Sequence, residues 1–180
     1  MNRKVCAFTG HRPQKFPWRK DETSPACAAL KAALNTQILR LVEAGFTDFL
    51  SGMAQGVDQW AAASVLELRE NNPVIKLHCI LPCKAQSDGW TASELDAYRT
   101  ILNEADSVVY VNRDTIRDCM LVRNRFMIEH VSLVLAVYNG EKRGGTASTV
   151  RYARKLGREV WLLHPITLRI THEPCGDNPP

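Results

Sequence analysis

The sequence lacks the long hydrophobic runs that membrane proteins contain. None of its apolar runs approaches the roughly 20 residues that a membrane-spanning helix needs. The apolar run near the amino terminus ends at Gly10 and is too short for the core of a signal peptide. We therefore expect a cytoplasmic protein with no membrane partner.

Paired-cysteine motifs and a strong net charge are also missing. The six cysteines include no Cys-x-x-Cys pair, and reduced thiols are expected without a secretion signal. We predict neither a metal site nor a cofactor. The net charge of +4 is a mild basic bias, which is compatible with anionic ligands but does not indicate nucleic-acid binding. With 45% hydrophobic and 23% charged residues, the composition is typical of a folded domain.

Apolar runs typical of strands alternate with helical patterns along almost the whole chain. The predicted strands are residues 4–8, 47–51, 74–81, 107–111, 131–138 and 160–163. The predicted helices are residues 25–44, 57–69, 94–105, 118–130 and 145–156. This alternation predicts a Rossmann-like α/β fold, with a doubly wound, mostly parallel sheet and helices on both of its faces.

The strand order and the domain boundary are expected in more detail. The order 3-2-1-4-5-6 would place the switch point of the sheet between strands 1 and 4. Residues 1–164 would form one domain, and the proline-rich residues 165–180 a loosely structured tail. Because ligands of open α/β sheets bind at the carboxyl ends of the strands, the loops after the strands are the candidate binding segments.

The loop after strand 1 combines a glycine with a cationic side chain. Thr9 supplies a hydroxyl, Gly10 lets the backbone approach a ligand, and Arg12 offers a fork of donors that matches phosphate. His11 could contact phosphate or act as an acid or base. A tight turn with solvated side chains is the structural alternative.

The loop after strand 2 contains two glycines. Backbone N–H groups near Gly52 and Gly56, together with the following helix N-terminus, suit an anion. The loop is neither a Walker A motif nor a Gly-x-Gly-x-x-Gly fingerprint. Asp58, in the first helical turn, could hold a ribose hydroxyl or cap the helix. Ser51 and Met53 complete the candidate binding residues of this loop.

Two later segments add further candidates. Gln86 and Trp90 follow strand 3, where the indole could stack on a base or cover the edge of the core. Arg123 and Asn124 lie on the helix before strand 5, and Arg125 should point to a different face from Arg123. The glycine-rich turn after strand 5 opens a helix that could bind an anion, with the candidate residues Gly144, Gly145 and Thr146.

These loops, in this order, resemble the YpsA-like family of the SLOG superfamily. That superfamily unites DNA-processing protein A with the lonely-guy phosphoribohydrolases. The resemblance covers about residues 4–163 and is carried by residues 8–13, 51–58, 123–127 and 144–146, with Gln86 and Trp90. It implies a Rossmann-like fold and a nucleotide-derived ligand.

The leading functional hypothesis is the binding or sensing of a nucleotide or nucleotide-derived phosphate ligand. The alternative is an enzyme that cleaves the N-glycosidic bond of a nucleotide, as lonely-guy enzymes do. Arg123 matches the arginine of those enzymes, but Thr149 stands where their motif has a glutamate. A threonine cannot act as a carboxylate base or stabilise an oxocarbenium-like centre.

A second alternative is a module that binds single-stranded DNA, as DNA-processing protein A does. Cationic and aromatic side chains interleave in one segment, which is typical of a single-strand platform but also of an ordinary basic surface loop. These residues are Lys15, Phe16, Trp18, Arg19 and Lys20. A homo-oligomer is compatible with the sequence.

Overall fold

A computed structural model describes residues 4–112 and 117–176, which contain seven strands and five helices. Strands and helices alternate as far as the sixth strand, and the seventh strand follows it directly. The strands are β1 (Lys4–Gly10), β2 (Phe46–Ser51), β3 (Lys76–Leu81), β4 (Ser107–Tyr110), β5 (Leu133–Val137), β6 (Glu159–Leu163) and β7 (Ile170–Glu173). The helices are α1 (Pro25–Glu43), α2 (Val57–Asn71), α3 (Ala92–Glu104), α4 (Cys119–Glu129) and α5 (Gly145–Lys155). Short 3-10 turns lie at Pro13–Lys15 and Lys84–Ser87.

The strands form one sheet between two helical layers. Their order is β4-β3-β2-β1-β5-β6-β7, and each neighbouring pair is parallel except β6 and β7. Cys6 and Phe8 pack in the core beneath α1, α2 and α3, whereas Ala7 packs in the core beneath α4 and α5. Since successive side chains of a strand point to opposite faces, β1 is buried on both sides. The predicted Rossmann-like, doubly wound and mostly parallel fold is confirmed.

The predicted strand order is wrong at β4. This strand lies outside β3 instead of beside β1, so the switch point of the sheet is between β1 and β5. Asp106 precedes β4, and its Oδ2 accepts hydrogen bonds from the backbone N–H of Leu77 and from Nη1 of Arg69, both at 2.9 Å. These contacts anchor the start of β4 to β3 and α2, which the apolar pattern of each strand alone does not specify.

The segment predicted as a loose tail contains a strand. Ile170–Glu173 pairs antiparallel with residues 160–163 of β6, and Ile170 packs against the larger core cluster. The sheet therefore extends beyond residue 164, where the predicted domain ended. The prolines and glycine of the segment obscured a run in which Ile166, Leu168 and Ile170 alternate with polar residues, as in a half-buried strand.

The helices begin and end at recognisable signals. α1 begins at Pro25, where the missing backbone N–H breaks no helical bond, and it ends shortly before Gly45, whose φ is 87°. Thr91 and Glu94 form a reciprocal capping box at the start of α3. None of the described helices combines the length and the apolar character that crossing a membrane requires.

The switch point opens a crevice at the carboxyl edge of the sheet. β1 and β5 are parallel neighbours, but the chain after β1 leads to α1 on one face, and the chain after β5 leads to α5 on the other. The loops that leave the two strands therefore diverge, and a space remains between them.

Candidate ligand-binding site

A cavity of about 360 Å³ lies in this crevice. The loop after β1, the start of α2, one side of α4 and the turn before α5 form its walls. The lining residues are Thr9, Gly10, His11, Arg12, Gln14, Lys15, Ala54, Asp58, Met120, Arg123, Asn124, Glu141, Arg143, Gly144, Gly145 and Thr146. Four segments that are far apart in the sequence thus meet at one place.

Most of the second loop forms the support behind the cavity. Its candidate residues that do not line the cavity are Ser51, Gly52, Met53 and Gly56. The Ser51 hydroxyl donates to the backbone carbonyl of Asp58 at 2.8 Å and accepts the backbone N–H of Met53 at 3.1 Å. These bonds fold the loop back onto the start of α2, so that Asp58 reaches the cavity wall.

The two glycines of this loop have packing roles. A Cβ atom at Gly52 would overlap the guanidinium of Arg123. Gly56 has a φ of 89°, and a Cβ atom there would lie 3.0 Å from Cδ of Pro13. Both positions therefore require glycine for reasons that do not involve a ligand.

Gln86 and Trp90 also lie outside the cavity wall. The buried Gln86 side chain donates from Nε2 to the carbonyl of Gly52 at 2.9 Å. Trp90 packs edge-on against Tyr98, with ring centroids 5.1 Å apart, and adjoins the larger core cluster. Gln86 thus supports the second loop, and the indole of Trp90 covers an edge of the core.

Arg123 is the charged group at the back of the cavity, and only 3% of its surface is exposed. Its Nη1 donates to the carbonyls of Gly52 and Ile80, and its Nε donates to Oδ1 of Asn124 at 2.8 Å. Arg125, as expected, points elsewhere and lies over the ring of Tyr152.

Asp58 and Arg123 form a buried pair of opposite charges. A Cβ atom added at Gly52 would overlap the guanidinium of Arg123 and would lie 2.8 Å from Oδ2 of Asp58. The guanidinium and the carboxylate are therefore adjacent. Burial raises the pKa of Asp58, and the positive charge of Arg123 opposes that rise. Burial lowers the pKa of Arg123, and the carboxylate opposes that fall. Oδ2 of Asp58 also accepts the backbone N–H of Ala54 at 3.3 Å.

Asn124 connects α4 with the start of α5. Its Nδ2 donates to the Thr149 hydroxyl at 3.0 Å, and that hydroxyl donates to the carbonyl of Gly145 at 2.9 Å. Thr149 is buried and does not line the cavity. The residue that stands in place of a glutamate therefore fixes the first turn of α5 and does not face the cavity.

Positive charge is concentrated at the mouth of the cavity. Nζ of Lys15 is paired with Oε2 of Glu141 at 3.1 Å. Arg12 and Arg143 are exposed, and within the described residues neither has an acidic side chain at ion-pair distance. These two guanidinium groups remain available to an anion.

The N-terminus of α5 opens onto the same space. Gly144 precedes the helix with a φ of 107°, and no side chain caps the first turn. The backbone N–H groups of that turn have no partner within the helix, and Gly145 and Thr146 line the cavity. A Cβ atom at Gly145 would meet nothing within 4 Å, so packing does not require glycine at this position.

His11 links the two strand ends. Its Nε2 lies 2.9 Å from Oδ1 of Asn139, and its ring packs against Phe16 and Tyr138. The amide oxygen can only accept, so in this contact Nε2 carries the proton. The imidazole thereby ties the loop after β1 to the loop after β5.

The aromatic residues proposed for a single-strand platform pack against the core. Phe16 is buried and stacks on Trp18 and Trp60, with centroids 5.0 Å and 5.7 Å away. Nζ of Lys20 is paired with Oε1 of Glu94 at 2.7 Å. The ring of Phe16 is therefore not available to stack on a base, and Trp18 exposes only part of its surface.

A family model described as the YspA SLOG family matches residues 6–168. The chain belongs to this family. The predicted resemblance is confirmed.

Curated relatives of this chain match most of its length. A UPF0398 protein of Bacillus thuringiensis strain Al Hakam is 31% identical over 156 residues, which cover 86% of this chain and 84% of the relative. The UPF0398 protein of Bacillus cereus strain B4264 gives the same values.

A solved structure of DNA processing protein A from Helicobacter pylori resembles this chain in fold. The TM-score is 0.59 with 19% sequence identity, and the match covers 89% of this chain. This chain spans 65% of the length of that one. The Helicobacter protein binds single-stranded DNA in a mode described as unique.

Some residues of the cavity were missed as ligand candidates. They are Gln14, Lys15, Ala54, Met120, Glu141 and Arg143. The sequence does indicate a binding role for Arg143, because this residue directly precedes the glycine pair at the start of α5. No sequence pattern indicates such a role for Met120, since its position in the wall depends on how α4 packs.

Replacing Arg123 by alanine should destabilise the fold by about 3–5 kcal/mol near pH 7, because Asp58 and two backbone carbonyls lose their buried partner. A carboxyl whose pKa rises on folding favours the folded state at low pH and loses that contribution as the pH rises through its folded-state pKa. Without Arg123 the pKa of Asp58 should rise further. The destabilisation relative to wild type should therefore shrink between about pH 7 and pH 4, as urea unfolding would measure.

The control is Arg123→Ala combined with Asp58→Asn, which removes the titrating group. Its stability loss relative to Asp58→Asn alone should change little with pH. An equal loss for Arg123→Ala at both pH values would contradict the electrostatic pairing.

Proposed function

We propose that this protein binds or senses a nucleotide or nucleotide-derived phosphate ligand in the cavity between β1 and β5. The observation that best supports this is the convergence of Arg12, Arg143 and the uncapped N-terminus of α5 on one space. Guanidinium groups donate to phosphate oxygens in a fork. A helix N-terminus adds free N–H groups and the positive end of the helix dipole.

The size and position of the cavity suit a small nucleotide. Its volume of about 360 Å³ lies within the range of about 300–1,000 Å³ that is usual for small-molecule sites. It also lies at the switch point of an α/β sheet, where such folds bind their ligands.

Asp58 supports a sugar-bearing ligand. It is the more buried of the two acidic residues in the wall, and it is held by Ala54 and the charge of Arg123. Its carboxylate can accept a hydrogen bond from a ribose hydroxyl while the phosphate lies at the cationic mouth. The cavity would then bind the two chemical parts of a nucleotide at different places.

The same groups support binding without efficient hydrolysis. The two carboxylates in the wall are Asp58, which faces Arg123, and Glu141, which is bonded to Lys15 and Asn139. Thr149 holds Asn124 and the first turn of α5. The position where the phosphoribohydrolase motif has a glutamate thus offers no carboxylate for the general-base role that glycosidic-bond cleavage normally needs.

A cytoplasmic location agrees with the thiol chemistry. None of the six cysteines is in a disulfide bond within the described residues, which suits a reducing compartment. The homo-oligomer stays a prediction.

Single-stranded DNA binding is the second candidate. It is favoured by the fold similarity to DNA processing protein A from Helicobacter pylori and by the cationic mouth of the cavity. The burial of Phe16 does not favour it, and Trp18 packs against the core with only part of its surface exposed. Length-dependent binding and salt dependence distinguish a strand from a mononucleotide.

Arg12→Ala should weaken binding of adenosine monophosphate by about tenfold or more, because one charge-assisted contact to phosphate is lost. The matched control is Arg19→Ala with Lys20→Ala, in the same segment but outside the cavity wall. Calorimetric titration near physiological salt should find the affinity of the control nearly unchanged, since exposed charges are screened beyond about 8–10 Å.

Titrating the same variants with a single-stranded oligonucleotide separates the two candidates. We expect weak, steeply salt-dependent binding without a length threshold. Tight binding near physiological salt would favour the DNA-binding function if Arg19→Ala with Lys20→Ala abolished it and adenosine monophosphate did not compete.

Incubation with adenosine monophosphate should release no adenine above background, because Thr149 replaces the glutamate of the phosphoribohydrolase motif. Chromatography of the free base measures this directly. Clear release of adenine that disappears in Arg12→Ala would instead support the glycosidic-bond enzyme.

A further inference from the structure

A second cleft lies at the same edge of the sheet, on the far side of the loop after β5. Its volume is about 550 Å³, and its walls come from that loop, α5, β6, β7 and the turn between β6 and β7. Tyr138 and Asn139 line it, and they contact His11 of the first cavity from the other side. The two spaces therefore share one loop as a wall.

Three polar residues between β6 and the middle of β7 form one side of this second cleft. Thr167, Arg169 and Thr171 line it. Leu168 and Ile170, which stand between them, pack against the larger core cluster. Thr171 lies on the extended strand β7, whereas Thr167 and Arg169 reach the cleft from the turn before it. The segment thus directs its polar side chains to the cleft as a group.

The turn that carries these residues is held in one conformation. The backbone N–H of Leu168 donates to the carbonyl of His164, and the N–H of His164 donates to the carbonyl of Arg169, both at 2.9 Å. Leu168 has a φ of 57°, a conformation that a leucine adopts only when its surroundings impose it. The polar groups of the turn are therefore positioned before any ligand arrives.

The imidazole of His164 is restricted to one neutral tautomer. Its Nδ1 accepts the backbone N–H groups of Ile166 and Thr167, at 3.3 Å and 3.2 Å. A backbone N–H can only donate, so the proton of the neutral ring is on Nε2. His164 lines the cleft and is a hydrogen-bond donor there.

The charges of the second cleft leave one cation unpaired. Arg154 donates two hydrogen bonds of 2.8 Å to the carboxylate of Glu173, so the opposite charges of this pair offset each other. Arg169 is exposed, and its side chain has no acidic partner in the part of the chain that the structure describes. The cleft thus combines a free guanidinium, a ring N–H and two hydroxyl groups.

We propose that the second cleft binds a phosphate-class anion through Arg169, Nε2 of His164 and the hydroxyls of Thr167 and Thr171. The guanidinium supplies charge and a fork of donors, and the ring and hydroxyls supply additional donors around the oxygens. This site has its own residues and does not depend on the ligand of the first cavity.

Inorganic phosphate is the probe, and the histidine rings report where it binds. Imidazole signals of the full chain are recorded by two-bond proton–nitrogen correlation at fixed pH, with sodium chloride keeping the ionic strength constant. The signals of His164 should shift saturably through the millimolar range, and those of His11, which lines the first cavity, should respond to phosphate bound there. An equal shift of His164 when chloride alone is raised would overturn the proposal.

Arg169→Ala should weaken the phosphate response of His164 by about tenfold, as expected when one charge-assisted bond is lost. It should leave the response of His11 unchanged. The matched control is Arg99→Ala, which removes the same charge from an exposed position of α3 that lines neither space. This control should leave both responses unchanged.

A fixed His164 signal throughout the titration would overturn the second site, as would an undiminished response in Arg169→Ala. A silent His11 beside a responsive His164 would count against phosphate binding in the first cavity and would leave the second site supported. The two proposals can therefore fail independently.

Discussion

The buried guanidinium of Arg123 joins the segments that form the cavity. It extends from α4, bonds the carbonyls of Gly52 after β2 and Ile80 in β3, and faces Asp58 at the start of α2. A buried arginine is tolerated only where its donors find acceptors and its charge finds a partner. The second loop, the end of β3 and α4 must therefore keep their relative positions. These contacts hold the back of the cavity together, and the exposed Arg12 and Arg143 line the same space.

Local patterns predicted the elements, while contacts between distant residues decided how they are arranged. The period of the apolar residues sufficed for five helices and six strands, because each element buries its own face or stripe. The position of β4 depends on Asp106, which bonds Leu77 and Arg69, and nothing in the β4 pattern reveals that choice. β7 was missed because prolines on either side hid a short alternating run. The loops still met at one edge, since parallel strands share their carboxyl ends.

The candidate residues show how far residue type can indicate a role. Gly52 and Gly145 both suggested close approach to a phosphate, yet Gly52 makes room for Arg123 while Gly145 faces open space. Only the three-dimensional surroundings separate these cases. For Thr149, in contrast, the sequence position alone indicated which chemical group is missing. Its sequence position predicted a missing carboxylate, and the structure shows it tying Asn124 to the start of α5.

The most direct test of phosphate binding at the start of α5 is the affinity for adenosine monophosphate of Gly145→Val, measured by calorimetry. The fold should tolerate this change, because a Cβ atom at Gly145 meets nothing within 4 Å. The side chain would occupy the space of the phosphate, so affinity should fall by about tenfold or more. Ser148→Val, on the same helix but outside the cavity wall, should bind like wild type. Equal affinity for Gly145→Val and wild type, both folded, would contradict the account.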